Sequence, residues 1–322
     1  MNTGIAAKTG DNGPISRKET RGAKLLRQVK DAKYLIIMVL PCVIFYILFR
    51  YIPMWGVLIS FKKYSPFKGF WGSSWVGLQH FITFFSGPFW VRTISNTLIL
   101  SIYSILWGFP LPIIFALILN DVTNVKFKKL VQSVSYMPHF LSTVIVVGLF
   151  YMLLSPSTGP VQKVLASMGY EKTDIFAQAK YFRTIYISSG IWQSLGWGAI
   201  IYLAALTNID PTLYESATID GASKFQQLKY ITLPSIAPTI ITMLLLRLGS
   251  VLGVGFEKAY LLQNDANHAA SDVLETYVYR MGISGANYSY GTAIGLLTSV
   301  INLIFIITFN KISKKVSETS LW

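Results

Sequence analysis

The chain has 322 residues, of which 52% are hydrophobic and only 13% charged, and it carries a formal net charge of +14. Soluble domains carry about 25% charged residues, so these proportions exclude an ordinary water-soluble globule. The single cysteine, Cys42, excludes an intrachain disulfide and, lying in an apolar run, reads as a packing residue.

Taken in order, residues 1 to about 20 are rich in Gly, Thr, Asn and Lys and bury too little apolar area to offset ordering entropy, so they read as disordered. Lys8, Arg17, Lys18, Arg21, Lys24, Arg27, Lys30 and Lys33 make residues 1–33 a basic tail. Anionic lipid and the positive-inside rule hold such a tail in the cytosol. Six apolar runs follow, each near the ~20 residues that cross a bilayer, at about 34–60, 93–119, 133–154, 184–206, 234–255 and 288–310. The fold class is therefore all-α: a polytopic membrane protein with six transmembrane helices. The first run lacks a small-residue cleavage site and is kept as a helix, although Pro41, Arg50 and Pro53 interrupt it.

Residues 61–92 form an extracellular loop in which Trp71 and Trp75, with Trp90 near its end, suit the interfacial aromatic belt. Pro110 and Pro112 are expected to kink the second span, since each removes a backbone donor. Six spans from a cytosolic N-terminus place Lys126, Lys128 and Lys129, then Lys224 and Lys229, then the tail 311–322 with Lys311, Lys314 and Lys315, on the cytosolic side. Residues 156–183 and 256–287, which include Arg183, Lys258 and Arg280, fall outside. A basic tail beside a membrane accounts for the net charge without any nucleic acid.

Between spans four and five lies a polar, helix-favouring stretch, the loop 207–233. Asp210 suits a helix cap, Pro211 the first turn, and Gly221 a sharp bend that other residues resist. The expected product is a helix, a turn and a second helix projecting into the cytosol. Ala217 and Ala222 leave room for a partner surface, Glu215 and Asp220 offer it charge, and Pro234 fits the first turn of the fifth span.

This stretch resembles the E-A-A-x-x-x-G-x(9)-I-x-L-P signature of permease subunits of binding-protein-dependent ABC importers. Glu215, Ala217, Gly221, Ile231, Leu233 and Pro234 match it, and Ser216 replaces the first alanine, small for small. Ser135 to Phe140, Gly255 to Leu262, Asp272 to Arg280 and the terminal Leu321-Trp322 look like the subgroup that imports complex-polysaccharide oligosaccharides in Gram-positive bacteria. The resemblance implies a type I permease fold with a MetI-like core at 93–310. It implies a second permease subunit in a heterodimer, two ATP-binding subunits, an extracellular solute-binding protein, and an oligosaccharide substrate of the plant-polysaccharide-derived kind. Arg247 within a span and an outer face more basic than acidic over 62–92 and 156–183 suit an acidic sugar, such as one containing uronic acids, because focused positive potential favours anions. The residues expected to meet the ATPase are Glu215, Ser216, Ala217, Asp220, Gly221, Ala222, Phe225, Ile231, Leu233 and Pro234.

Catalytic chemistry is not expected of this chain. It has no phosphate loop of the G-x-x-x-x-G-K-[ST] type, so Mg-ATP belongs to a partner and no cofactor is expected here. His80, His139 and His268 lie on different segments without metal-ligand spacing. Candidate substrate contacts are Trp192, Gln193, Trp197 and Tyr202 of span four, Tyr103 and Trp107 of span two, and Arg247 of span five. Trp192 and Trp197 are too far apart in helical phase to share one narrow stripe, and core packing or lipid contact competes for all the aromatics. Arg247, a charge inside a span, either lines a cavity or forms a structural ion pair. A permease for another small solute remains an alternative. An ion-coupled secondary transporter is disfavoured because the apolar runs hold no Asp or Glu.

Overall fold

The computed structural model describes residues 32–317; the basic tail up to Asp31 and the terminal Leu321-Trp322 lie outside them. The chain divides into two units, Met1–Val57 and Leu58–Trp322. The described part of the first unit is helical and buries no residue. It belongs to α1 (Lys33–Phe61), which continues through Pro41, Arg50 and Pro53 instead of breaking. A π-turn at Ile47–Tyr51 ends two residues before Pro53. Widening the helix there relieves the clash between the proline ring and the carbonyl four residues back. Cys42 is exposed on this helix, so the packing role expected for it is not found.

The second unit contains α2 (Trp90–Asp121), α3 (Val125–Phe140), α4 (Thr143–Leu154), α5 (Ala179–Thr207), α6 (Pro211–Ile219), α7 (Lys224–Leu248), α8 (Phe256–Leu262) and α9 (Tyr288–Ser317). Together with α1, helices α2, α7 and α9 are long and apolar enough to cross a membrane. In α2 the two prolines interrupt the helix only at Phe109, with Pro110 opening the second half. The third expected span is not one rod: α3 and α4 meet at 104°. Pro138 lies in a closing 3-10 turn, and the Ser142 side chain then caps α4 by accepting from the Ile145 N–H, so the chain stops and restarts. At the fourth expected span lies α5, whose 29 residues are ample in length, but its middle carries Ser188, Ser189, Gln193 and Ser194, and it is not among the helices apolar enough to cross a membrane. The fifth begins ten residues earlier than expected and ends at Leu248 instead of 255. The sixth starts where expected and runs on to Ser317.

Two apolar clusters frame this unit along α5. Near its N-terminal end Phe182, Ile185 and Tyr186 pack with Val147 of α4 and with Ala259 and Leu262 of α8. Near its C-terminal end Ala199, Tyr202 and Leu206 pack with Ile113 and Ala116 of α2 and Ile236 of α7. The outward faces of α1, α2 and α9 keep large exposed apolar side chains, as lipid-facing surfaces do.

Candidate functional site

The polar module folds by local rules legible in its residues. Asp210 caps α6 by accepting from the Thr212 N–H, and Pro211 occupies the first turn. That backbone bond holds the Asp210 carboxyl below its ordinary range, with a smaller lowering from the Thr212 side chain. At the other end Gly221 has φ +77°, the Ala222 N–H donates to the Ala217 carbonyl, and the Gly221 N–H to that of Thr218. This is the left-handed glycine stop in which two orphan carbonyls are satisfied together. A second helix starts at once, because Ser223 and Gln226 form a reciprocal capping box.

The two helices are then stapled. The buried Gln227 amide donates to the Thr218 hydroxyl at 3.1 Å and the Ala222 carbonyl at 3.3 Å, and Tyr214 and Thr232 share a hydrogen bond of 2.9 Å. Neither Gln227 nor Thr232 stands out in the sequence, although Ser-x-x-Gln at 223–226 is a readable capping signature. Pro234 sits in the first turn of the α-helical stretch Leu233–Leu248, as expected, but that stretch is not where the long helix begins. It follows a π-turn at Leu228–Thr232, the same arrangement seen before Pro53, and the helix runs unbroken from Lys224 to Leu248.

Of the predicted module residues, Glu215 borders a cavity of about 540 Å³ against the end of α2, with Asn120, Asp121 and Lys224 across it. Ser216, Asp220 and Gly221 are exposed, while Ala217, Ala222 and Ile231 are half-buried. Leu233 and Pro234 are exposed. Phe225 at 71% and Ile219 at 86% exposure offer apolar side chains on an otherwise polar module.

A second cavity, of about 510 Å³, is lined by α2, α5, α7 and α8. Along α5 its lining residues Tyr186, Gly190, Ser194, Trp197 and Ile201 recur at helical spacing, which makes a single stripe. Trp197, Tyr202 and Arg247 line it; Trp192, Gln193, Tyr103 and Trp107 do not. Trp192 instead stands edge-on to Phe150, and the Gln193 amide donates to the Leu141 carbonyl at 3.0 Å, holding the bend between α3 and α4. Tyr103 and Trp107 are exposed on α2. Trp197 stacks flat on His139 at 4.5 Å, a partner that the sequence does not reveal.

Arg247 sits in the last turn of α7, where the helix dipole favours a cation. It makes no ion pair among the described residues. Lys258 of α8, counted from the sequence as an outer-loop charge, also faces this cavity. Its ammonium donates to the Tyr186 carbonyl at 2.6 Å and lies 4.6 Å from the Tyr186 ring centre. Burial in this short connecting helix lowers its pKa to about 7.

A third polar cluster ties the start of α2 to the segment before α9. Asp272 is 0% exposed and accepts from Arg92 at 2.8 Å and Arg280 at 2.9 Å. Arg280 also meets His268 at 3.0 Å, and the Asn96 amide donates to the Asp272 and Ala269 carbonyls.

A multi-span helical unit, with a stapled polar helix–turn–helix at the foot of one span and a cavity beside that span's other end, is the architecture of a membrane permease. Residues 98–318 match the family of binding-protein-dependent transport system inner membrane components, and the chain belongs to that family. It is 42% identical to protein LplB of Bacillus subtilis, over 94% of this chain and 95% of that one. It is 41% identical to the polygalacturonan/rhamnogalacturonan transport system permease protein YteP of the same organism, over the full length of both. Among solved structures, a chain of a bacterial alginate ABC transporter in complex with an alginate pentasaccharide-bound periplasmic protein superposes with a TM-score of 0.86. That chain is 42% identical, and the match covers 92% of this chain and 100% of that one. The chain is thus a transport subunit in a membrane, not an enzyme.

Proposed function

We propose that this chain supplies half of the transmembrane pathway of an ATP-driven importer for an acidic oligosaccharide in a bacterial cell membrane. The other half is a second, different permease subunit. Two ATP-binding subunits hold Mg-ATP, this chain binds no cofactor, and an extracellular binding protein delivers the sugar. Both termini are cytosolic.

The observation that carries the reading is the continuity of α7. The stapled module offers Phe225, Ile219 and Glu215 to a partner at one end, and 25 residues of unbroken helix lead from it to Arg247 at the cavity wall. At 1.5 Å per residue that rod spans ~37 Å, roughly the membrane thickness. A rigid displacement where the ATPase grips is therefore delivered at the cavity, opening it to one side or the other. Relatives that carry uronic-acid polymers by name, and a cavity bearing two cations, support the acidic class.

Copurification tests the assembly. A tagged chain solubilised gently should retain a second permease and an ATPase, and Phe225→Glu should release the ATPase while the permease pair stays together. Retention of the ATPase by that variant would place the contact elsewhere.

A further inference from the structure

Resting on the acidic-oligosaccharide reading, we infer that Arg247 and Lys258 together form a carboxylate clamp in the cavity, and that Lys258 is a specificity-determining residue for a uronate.

The two cations come from different elements, the last turn of α7 and the short α8, yet both line one cavity of about 510 Å³. Neither makes an ion pair with a described carboxylate. This contrasts with Arg92 and Arg280, which share Asp272 on the same unit. A cation in a low-dielectric setting without a counter-ion is costly, and an arriving anion lowers that cost.

Lys258 is also held in place. Its ammonium is fixed by one carbonyl and one ring face of Tyr186, both of which favour the charged form. The Tyr186 hydroxyl in turn donates to the Val254 carbonyl, pinning the chain just before α8. Gly190 makes room: a Cβ there would lie 2.8 Å from the ammonium nitrogen. With three donors and only the Tyr186 carbonyl taken, the ammonium keeps two N–H bonds for a ligand, and the Arg247 guanidinium supplies a planar pair. One carboxylate bridging them, with the sugar ring against Trp197, is the occupant this chemistry recognises.

Lys258 does not balance Glu275, since no ion pair joins them among the described residues. That carboxylate accepts from the Gly255 N–H and has one oxygen buried without a partner.

The experiment uses the complete importer in proteoliposomes with its binding protein. The probes are a galacturonate trisaccharide and its methyl ester, which share length and skeleton and differ in charge. Lys258→Gln should lower uptake of the acid about tenfold, as expected for loss of a charge-assisted hydrogen bond, while leaving the ester within about twofold. Lys258→Arg should keep most of the preference for the acid. Equal losses for both sugars, or an unchanged acid rate, would overturn the clamp and leave the importer reading intact. Failure of the wild-type complex to import either sugar would instead overturn the acidic-oligosaccharide reading, and the clamp with it.

Discussion

Substituting Gly221 probes the turn on which the coupling module depends. The residue has φ +77°, and a Cβ built there would meet nothing within 4 Å. The penalty for a side chain therefore comes from the backbone conformation alone, without steric contact. For an L-residue the left-handed region costs about 1–2 kcal/mol, Asn being less penalised and a β-branched residue more. Asn should thus cost a few tenths of a kcal/mol, Ala about 1, and Val about 2 or more. Since about 1.4 kcal/mol is a factor of ten in an equilibrium, Val should shift the ratio of bent to unbent module more than tenfold against the bend relative to wild type, and Asn hardly at all. The assay is ATP hydrolysis stimulated by loaded binding protein, together with uptake, in the reconstituted complex, with assembly checked by copurification. Both activities should fall in the order Gly, Asn, Ala, Val while the amount of inserted permease stays constant. A Val variant with full coupled activity, or an Asn variant as impaired as Val, would refute the argument.

Asp272→Asn should lower thermal stability by the equivalent of about 2 kcal/mol. Removing one partner of a buried pair costs about 3–5 kcal/mol, discounted here because Arg92 and Arg280 are 35% and 36% exposed. A melting temperature unchanged from wild type would contradict that. For Asp210, whose folded carboxyl lies below its ordinary range, the cap is at full strength above the ordinary carboxylate pKa and is lost as pH falls through the lowered value. Asp210→Ala should accordingly weaken ATPase retention at neutral pH, and acidification should narrow the gap to wild type; a gap independent of pH would count against the cap. In a Cys42→Ser background an impermeant thiol reagent on intact cells should miss Ser223→Cys and label Ala266→Cys, both exposed sites. Ser271, in the same expected outer segment 256–287, is 0% exposed and unsuitable. Labelling at 223 from outside would reverse the proposed orientation.

The sequence by itself determined the membrane class, the apolar segments that became α1, α2, α7 and α9, and the form of the module, because each follows from information within a few residues. Hydropathy over about 20 residues decides a span, and Asp210, Pro211 and Gly221 act on their own turns. The capping box at Ser223 and Gln226 was equally local. Prolines misled in both directions. Pro53 and Pro234 break nothing, because a π-turn just before each absorbs the clash, whereas the bend after Pro138 is much sharper than a continuous apolar run suggests.

Only the tertiary structure decided which polar groups meet. Gln193 and Trp197 lie one turn apart on α5, yet one braces the Leu141 bend and the other faces the cavity, since the bend of α3 against α4 fixes what each side of α5 touches. Arg247 belongs to a span by hydropathy, but whether it faces a cavity or an ion pair depended on where α5 and α8 pack. Lys258 illustrates this most clearly. By composition it is a charge in a loop between spans, and it enters the cavity because α8 folds back against Tyr186 and Gly190 of α5, some seventy positions away in sequence, a contact no local pattern encodes.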